Sequence, residues 1–343
     1  MAVEVTHMRR EVDEIPDATR RLLEGSGAAL AAAGARLSEL SPALVATIAR
    51  GSSDHAASFL KYAIELGAGV PVASLGPSIM SIYGRELKFE RAAAITISQS
   101  GKSPDIVALA QSARRNGALT IALTNTPDAP LAAAADIAVD LAAGREQSVA
   151  ATKSFVSSVV AGLAILGHWV GDRELLAALD RLPEQFARAA AADWSPLLPT
   201  LKGAQSLYVL GRGPSLAIAA EAALKFKETC GLHAEAYSAA EVVHGPSRIV
   251  EAGFPVLALA ARDAAESAVT EMADRLAKQG AVAFVTADGA AAATKLPFVA
   301  TGHPLTDALA LIVSFYGFVE MLSRARGLDP DNPPHLKKVT ETL

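Results

Sequence analysis

The sequence predicts an α/β protein made of two tandem domains, each a parallel β-sheet flanked by helices. Short apolar runs rich in Val, Ile and Ala alternate with longer Ala/Leu-rich segments of helical period, which is typical of a parallel sheet covered by helices. The predicted strands fall into two sets of four, and an Arg-Gly-x-Ser turn follows the first strand of each set. These observations together indicate a repeated α/β architecture.

The predicted strands are the apolar runs that turn-forming residues bound. In chain order they are residues 44–49, 93–97, 119–123 and 137–140, followed by 207–210, 256–260, 282–286 and 298–300. A mostly helical stretch between the two sets ends in the proline-containing segment 193–199, which suits a junction. We therefore predict an N-terminal domain at residues 1–195 and a C-terminal domain at residues 196–343.

The two sets resemble each other in sequence as well as in order. RGSS at residues 50–53 follows the first strand of one set, and RGPS at residues 212–215 follows the first strand of the other. Each turn leads into an Ala-rich helix that carries a lysine, Lys61 or Lys225. The matching order of strand, turn and helix indicates an internal duplication.

Composition argues against several kinds of partner. With 51% hydrophobic residues, the chain of 343 residues can bury a large core. A formal net charge of -5 with scattered basic residues gives no basic surface of the kind that binds nucleic acid. No signal-peptide pattern starts the sequence, and the apolar stretch 158–170 is too short and too interrupted by glycine to span a bilayer. We expect neither nucleic acid nor a membrane as partner.

The cysteine content suits a reducing compartment. Cys230 is the one cysteine in the sequence, so an internal disulfide and a zinc site with several thiolates are both excluded. We therefore expect a cytoplasmic protein.

The sharpest local motif is SQSGKSPD at residues 98–105, directly after a predicted strand. Ser103 suits the N-cap of a helix, Pro104 its first position, and Asp105 complements its dipole. Free backbone N–H groups, a glycine and several hydroxyls, with no carboxylate before the cap, together suit a phosphate. The alternative is an ordinary hydroxyl-rich turn before a capped helix.

Two segments of the sequence resemble nucleotide-binding motifs but do not match them. GKS at residues 101–103 resembles the end of a P-loop, yet the first glycine of that pattern would fall on Thr96. GRG at residues 211–213 follows a strand, but the third small position of a dinucleotide fingerprint holds Leu216. Neither nucleoside triphosphates nor dinucleotides are implied.

A titratable stripe lies on the helix predicted at residues 216–229. Glu221, Lys225 and Glu228 are spaced i, i+4 and i+7 and therefore share one face. The simple interpretation is a solvated stripe with a Glu–Lys pair. However, the next segment, predicted to be a loop, adds more titratable and aromatic groups, as acid/base sites on loops often do. These groups are His233, Glu235, Tyr237, Glu241 and His244.

At this point the motifs resemble those of the sugar isomerase (SIS) domain family, in particular the isomerase half of glucosamine-6-phosphate synthase and its stand-alone relatives. The resemblance covers nearly the whole chain and keeps the order of the motifs. They are residues 6–11 with Pro16, 50–53, 98–101, 148–155, 221–228, 233–237, 244–246 and 334–340. The resemblance implies flavodoxin-like sheets in two tandem SIS domains.

The resemblance also implies which residues hold the substrate. A sugar phosphate would be held by Ser53, Ser98, Gln99, Ser100 and Ser103. Ser52 and the backbone near Val149 would line the sugar. The implied substrate is a phosphorylated amino sugar, with no metal and no organic cofactor.

Catalytic roles follow from the same resemblance. Glu228 matches the carboxylate that moves a proton between C1 and C2, and Lys225 matches the lysine beside it. His244 matches a ring-opening histidine that reaches a neighbouring subunit's site, so a homodimer with shared sites is expected. Lys338 matches a tail lysine that meets the open-chain carbonyl.

The sequence departs from the synthase pattern in informative places. It shows no glutaminase domain with an N-terminal cysteine nucleophile, Lys102 replaces an acidic residue, and Ala151 replaces a serine. We therefore expect glutamine-independent conversion of glucosamine 6-phosphate into fructose 6-phosphate and ammonia. The alternatives are a galactosamine-6-phosphate deaminase/isomerase, a fructosamine-6-phosphate deglycase, and a non-catalytic sugar-phosphate sensor.

The two halves are expected to be unequal. Where the first half has the hydroxyl-rich motif, the second half reads AARDAAE at residues 260–266. Asp263 and Glu266 would repel an anion at the helix start, although Arg262 opposes them. We expect one phosphate site in each chain, in the first half.

Overall fold

The computed structural model describes residues 5–338. Thirteen α-helices and ten β-strands are present in this range. In chain order the helices are α1 (His7–Asp13), α2 (Ile15–Leu40), α3 (Ser52–Gly67), α4 (Ser78–Ser81), α5 (Pro104–Arg115), α6 (Pro130–Ala134), α7 (Lys153–Val170), α8 (Arg173–Asp180), α9 (Leu182–Ala190), α10 (Leu198–Lys202), α11 (Pro214–Cys230), α12 (Glu266–Lys278) and α13 (Pro304–Ala325).

The first sheet has five parallel strands in the order β2-β1-β3-β4-β5. They are β1 (Leu44–Ile48), β2 (Val72–Ser74), β3 (Ala92–Ile97), β4 (Leu119–Thr124) and β5 (Ile137–Asp140). Every residue of β3 and β4 is buried, because helices cover both faces of a parallel sheet. Their continuous apolar sequences, AAAITI and LTIALT, fit that position.

The second sheet repeats this topology, with the order β7-β6-β8-β9-β10. Its strands are β6 (Ser206–Gly211), β7 (His233–Ser238), β8 (Pro255–Ala258), β9 (Val282–Val285) and β10 (Thr294–Lys295). In each sheet the second strand lies on one side of the first and the third strand on the other. The predicted fold class is therefore confirmed, with two flavodoxin-like parallel sheets flanked by helices.

Three details of the strand prediction were wrong. The short strand Val72–Ser74 was missed, and residues 298–300 form no strand, since the edge position is taken by Thr294–Lys295. The segment expected to be a loop after α11 is the six-residue strand His233–Ser238, paired with β6 along its whole length. Its sequence alternates small and polar residues because it is an edge strand, so it lacks the apolar run that predicts a buried strand.

Two compact units form in the structure, each built around one sheet. The first-sheet unit comprises residues 17–146 and 153–180, and the second-sheet unit comprises residues 5–16, 147–152 and 181–338. The domain boundary at residue 195 stays a prediction. In the compact units, residues 5–16, 147–152 and 181–195 group with the second sheet. Helix α9 illustrates why, because it packs on α13 of the second-sheet unit although it precedes that boundary.

Two helices have the length and apolar composition needed to cross a membrane, Lys153–Val170 and Pro304–Ala325. Their apolar windows are 83% and 89% buried within the protein. Core helices of globular proteins share these properties, so packing in the two units accounts for their composition.

Candidate functional site

The first group of candidate residues lies where the strand order of the first sheet reverses, between β1 and β3. The carboxyl ends of both strands lie at the same edge of the sheet, where ligands of open α/β sheets usually bind. After β1, Gly51 adopts a φ of +56° and the helix α3 begins at Ser52. Ser52 and Ser53 are partly buried in the first turn of that helix. The turn therefore presents two hydroxyls and the start of a helix to this edge.

After β3, the turn at residues 98–103 is rigid. The buried Ser98 accepts a hydrogen bond on Oγ from the Gly101 N–H at 3.2 Å. Gly101 has a φ of +61°, and a Cβ there would lie 2.7 Å from the Ala129 Cβ and 2.8 Å from the Thr124 Oγ1. Gln99 accepts a hydrogen bond on its backbone oxygen from the Asn125 N–H at 3.1 Å. Only glycine fits at position 101, and the turn is held to the end of β4.

The predicted start of α5 is confirmed, with Ser103 at the N-cap and Pro104 in the first turn. The Ser103 hydroxyl makes no capping hydrogen bond. Ser100 accepts a hydrogen bond on Oγ from the Lys102 N–H at 3.3 Å, and Lys102 is exposed. The first N–H groups of a helix have no partner within the helix. Hydroxyls, such N–H groups and a nearby ammonium together form a turn that suits a phosphate.

Asp105 does more than complement the helix dipole. It lies in the first turn of α5 with a fully buried side chain, and it forms an ion pair with Arg50, whose side chain is 38% exposed. Arg50 belongs to the turn after β1. The ion pair thus joins the turns that follow β1 and β3.

The corresponding place in the second-sheet unit is filled by Arg262. Its guanidinium donates to the backbone oxygens of Ala260 and Thr286, and it stacks over the Phe298 ring at 3.7 Å. Arg262 also pairs with Glu266 at 3.2 Å, at the start of α12. The turn after β8 is therefore occupied by a side chain of its own.

The second group of candidate residues lies on α11. Lys225 Nζ is 3.4 Å from Glu221 Oε1 and also pairs with Glu228, and the side chains of Glu221 and Lys225 are fully buried. Tyr316 on α13 donates to Glu221 Oε1 at 3.1 Å. Glu228 is 22% exposed and is the member of this group that a solute can reach. The interpretation of these residues as a solvated stripe is therefore wrong.

Lys225 keeps its positive charge in this buried position. Burial by itself would lower the pKa of Lys225, but the carboxylates of Glu221 and Glu228 raise it by more. The pKa of the ammonium group consequently lies above its usual value. Lys225 therefore supplies a buried cation between the side chains of Glu221 and Glu228.

His244 lies on the turn that follows β7. It is exposed, and its backbone N–H donates to the backbone oxygen of Glu241 at 2.9 Å. The turn is anchored by the buried Val242 and by the Tyr208 hydroxyl, which donates to the Pro246 oxygen at 2.9 Å. The imidazole is therefore presented on an anchored turn.

The segment that carries Val149 is hydrogen-bonded to Asp331, which precedes Lys338 in the C-terminal segment of the second-sheet unit. The backbone N–H of Val149 donates to the backbone oxygen of Asp331 at 3.5 Å. The Asp331 carboxylate accepts hydrogen bonds from the N–H groups of His7 and Met8, both at 2.7 Å. Lys338 is partly buried at the end of the described chain. The last two residues of the predicted tail motif, Val339 and Thr340, lie outside the described residues.

The structure thus gathers the predicted residues into separate groups. The phosphate-binding candidates share one sheet edge of the first-sheet unit, and Glu228 and Lys225 share one helix of the second-sheet unit. Sequence reasoning missed the roles of Arg50, Asp105 and Tyr316. Arg50 lay within the repeated Arg-Gly-x-Ser turn, which was a signal, whereas nothing near Tyr316 pointed to Glu221. Within residues 5–338, no group of three or more His, Cys, Asp or Glu side chains suits a metal ion.

This geometry defines a class of proteins that have two flavodoxin-like sheets and a hydroxyl-rich turn at the switch point of one sheet. The SIS domain model matches residues 44–166 and 200–295. The chain therefore belongs to the SIS domain family, and the resemblance predicted from its motifs is confirmed.

Individual relatives extend this result. The glutamine–fructose-6-phosphate aminotransferase (isomerizing) of Symbiobacterium thermophilum is 32% identical over 317 residues, which cover 86% of this chain and 51% of that protein. That of Pyrobaculum aerophilum is 34% identical over 307 residues, which cover 85% of this chain and 50% of that protein. The chain thus spans about half the length of the curated relatives it matches.

Solved structures share the whole fold. A Silicibacter pomeroyi protein, provisionally named a phosphosugar isomerase, is 54% identical with a TM-score of 0.93, over 95% of this chain and 100% of that chain. The glucosamine-6-phosphate deaminase of Thermotoga maritima has a TM-score of 0.78 at 19% identity, over 98% of this chain and 100% of that chain. At that identity the second likeness concerns the fold alone.

The contrast between the two turns predicts one phosphate site in each chain. In calorimetry with glucitol 6-phosphate, which lacks both the carbonyl and the amine, we expect one bound ligand per chain. Replacing Ser100→Ala together with Ser103→Ala should abolish binding, because the turn after β3 loses two hydroxyls. Arg262→Ala is the matched control and should leave the count at one. Two equivalent sites would contradict the prediction.

Proposed function

We propose that the protein is a glutamine-independent phosphosugar isomerase-deaminase that converts glucosamine 6-phosphate into fructose 6-phosphate and ammonia. The observation that carries the proposal is the Glu228 carboxylate, accessible to solutes beside the buried Lys225. A carboxylate held next to a fixed cation can act as a general base in proton transfer. A protein that only senses a sugar phosphate has no need of a buried cation between two carboxylates.

The phosphate of the substrate would be bound by the first-sheet unit. Ser53, Ser98, Gln99, Ser100 and Ser103 follow β1 and β3 at one sheet edge. The hydroxyls and helix N-termini there favour a dianion over a neutral sugar. In the proposal, Ser52 and the backbone at Val149 contact the sugar.

In the proposal, the residues of this chain do not hydrolyse glutamine to obtain ammonia. Hydrolysis by the synthase type of glutaminase needs a cysteine thiolate. Burial raises the pKa of the Cys230 thiol to about 11, and Cys230 is the one cysteine in the sequence. A buried thiol with such a pKa is inert near neutral pH, so ammonia would be handled in the free form. The lone buried thiol also suits the cytoplasm, where we infer that the protein works.

The proposed reaction starts with the opening of the sugar ring. His244 would transfer the proton between the ring oxygen and the C1 hydroxyl, giving the aldehyde at C1. Glu228 would then remove the proton from C2 and return it to C1. The electron pair of the C2–H bond forms the C1–C2 double bond of an enolamine, while O1 accepts the proton that the C2 ammonium gives up. When C1 is protonated it becomes a CH2OH group, and the nitrogen lone pair forms the iminium at C2.

Water would complete the reaction at C2. It adds to the iminium, and the C–N bond breaks to leave the ketone of fructose 6-phosphate and an ammonium ion. Lys338 would contact the open-chain carbonyl during these steps. The proposal uses neither a metal nor an organic cofactor, because the carboxylate, imidazole and ammonium groups account for each proton transfer.

The first test measures ammonia. With glucosamine 6-phosphate and a chelator present, we expect equal amounts of ammonia and fructose 6-phosphate. Galactosamine 6-phosphate and fructosamine 6-phosphate, incubated in parallel, test the two enzymatic alternatives. Amino-sugar synthesis from glutamine and fructose 6-phosphate by the purified chain would refute the proposal, as would the absence of ammonia from all three substrates.

The second test replaces Glu228→Gln, which keeps the shape but removes the base. Turnover should fall by about 10²-fold or more with KM little changed, because the carboxylate acts mainly in the transition state. The matched control is Glu251→Gln, whose side chain is 78% exposed and should leave kcat unchanged. Unchanged kcat in Glu228→Gln would remove this residue from the mechanism.

The third test concerns the proposed homodimer with shared sites. We would mix inactive Glu228→Gln chains with inactive His244→Ala chains after confirming subunit exchange. If each site uses Glu228 and His244 from different chains, equal mixing restores about one quarter of wild-type activity, because half the dimers are mixed and one site in each is intact. A mixture as inactive as its parents would contradict shared sites.

A further inference from the structure

Arg50 and Asp105 form an ion pair at the switch point of the first sheet. Asp105 lies in the first turn of α5, and its side chain is 0% exposed. Arg50 lies just after β1, in the turn that leads into α3. The pair therefore spans from one phosphate-binding turn to the other, and neither residue is among those that the motifs assigned to the site.

The position of Asp105 is unfavourable for binding a phosphate. A carboxylate in the first turn of a helix is stabilised by the helix dipole. The same carboxylate weakens the attraction that the helix N-terminus exerts on a second anion, and in a buried position its charge is little screened. An uncompensated Asp105 would therefore repel the phosphate that Ser100 and Ser103 are placed to hold.

The second-sheet unit shows a different solution to the same problem. There, the acidic residue at the start of α12 is Glu266, and it is neutralised by Arg262 from its own turn. That guanidinium fills the turn after β8. In the first-sheet unit the cation comes from the neighbouring turn, and the turn of residues 98–103 has no arginine of its own to fill it. A cation from the neighbouring turn is thus compatible with phosphate binding, whereas a guanidinium that fills the turn itself is not.

We propose that Arg50 is a positioning residue for phosphate binding, which acts by neutralising the buried Asp105 at the start of α5. This inference rests on the proposed phosphate site. It predicts that affinity for a phosphate depends on the summed charge of the pair. A purely structural brace would instead make the affinity depend on the bond between the two side chains.

The experiment measures the affinity for glucitol 6-phosphate by calorimetry in a set of charge variants, with glucitol as the neutral control ligand. Arg50→Met leaves Asp105 uncompensated and should weaken binding about tenfold or more. Asp105→Asn keeps the shape, removes the anion and should bind equally or more tightly. The double variant should return to within about threefold of the wild type, because the summed charge is restored.

Arg50→Lys keeps the charge and should stay within about threefold of the wild type, which retains a test if Arg50→Met does not fold. Folding of each variant is checked by circular dichroism. Binding by Asp105→Asn that is clearly weaker than wild type would overturn the inference. A double variant as weak as Arg50→Met would overturn it too, because Arg50 would then contact the ligand directly.

The controls separate this inference from the proposed function. If the wild type does not bind glucitol 6-phosphate, the phosphate site itself fails. If the wild type binds, Ser100→Ala with Ser103→Ala abolishes binding, and the Arg50 and Asp105 variants all bind equally, the phosphate site stands and only the role of Arg50 is refuted.

Discussion

The buried ammonium group of Lys225 is the constraint on which the second-sheet unit depends. Burying an ion costs several kcal/mol unless opposite charges and hydrogen bonds compensate for it. Glu221 and Glu228 provide that compensation on the same helix, and Tyr316 holds Glu221 from α13. Lys225 holds the Glu228 side chain, which is 22% exposed, and the proposed function assigns that exposed part to the reacting sugar.

The packing of α11 on α13 gives this network its rigidity. Phe226 and Phe315 meet edge to face with ring centroids 5.0 Å apart, and Trp194 contacts Phe315 at 6.5 Å. The Ser323 hydroxyl donates to the Thr229 oxygen at 2.7 Å. A carboxylate on a helix fixed in this way loses little freedom when it acts, which is the preorganisation that acid/base catalysis needs.

Duplication of one topology has produced two different switch points. The first has a hydroxyl-rich turn between β3 and α5, whereas Arg262 fills the equivalent turn of the second. In the proposal, the first-sheet unit is therefore the one that binds the phosphate. The second-sheet unit carries its polar groups on α11 and on the turn with His244.

The sequence predicted much of this arrangement because local rules decide it. The motif at residues 98–105 contains its own helix cap, glycine and hydroxyls, and the spacing of Glu221, Lys225 and Glu228 places them on one face. Burial could not be predicted, since a Glu–Lys pair has the same spacing on an exposed helix. The strand His233–Ser238 escaped prediction because β6, distant in sequence, determines its pairing. Contacts between distant residues, such as Tyr316 with Glu221, leave no local pattern.

In the proposed function, Glu228, held by Lys225, moves the C2 proton of an amino-sugar phosphate. This proton transfer is tested most directly by proton NMR of glucosamine 6-phosphate in D2O with the wild type and Glu228→Gln. The wild type should consume the C2 proton signal at the rate at which ammonia appears, or faster, and Glu228→Gln should leave it intact over the same time. Ammonia release with the C2 proton retained, or equal loss of the signal in both proteins, would contradict the account.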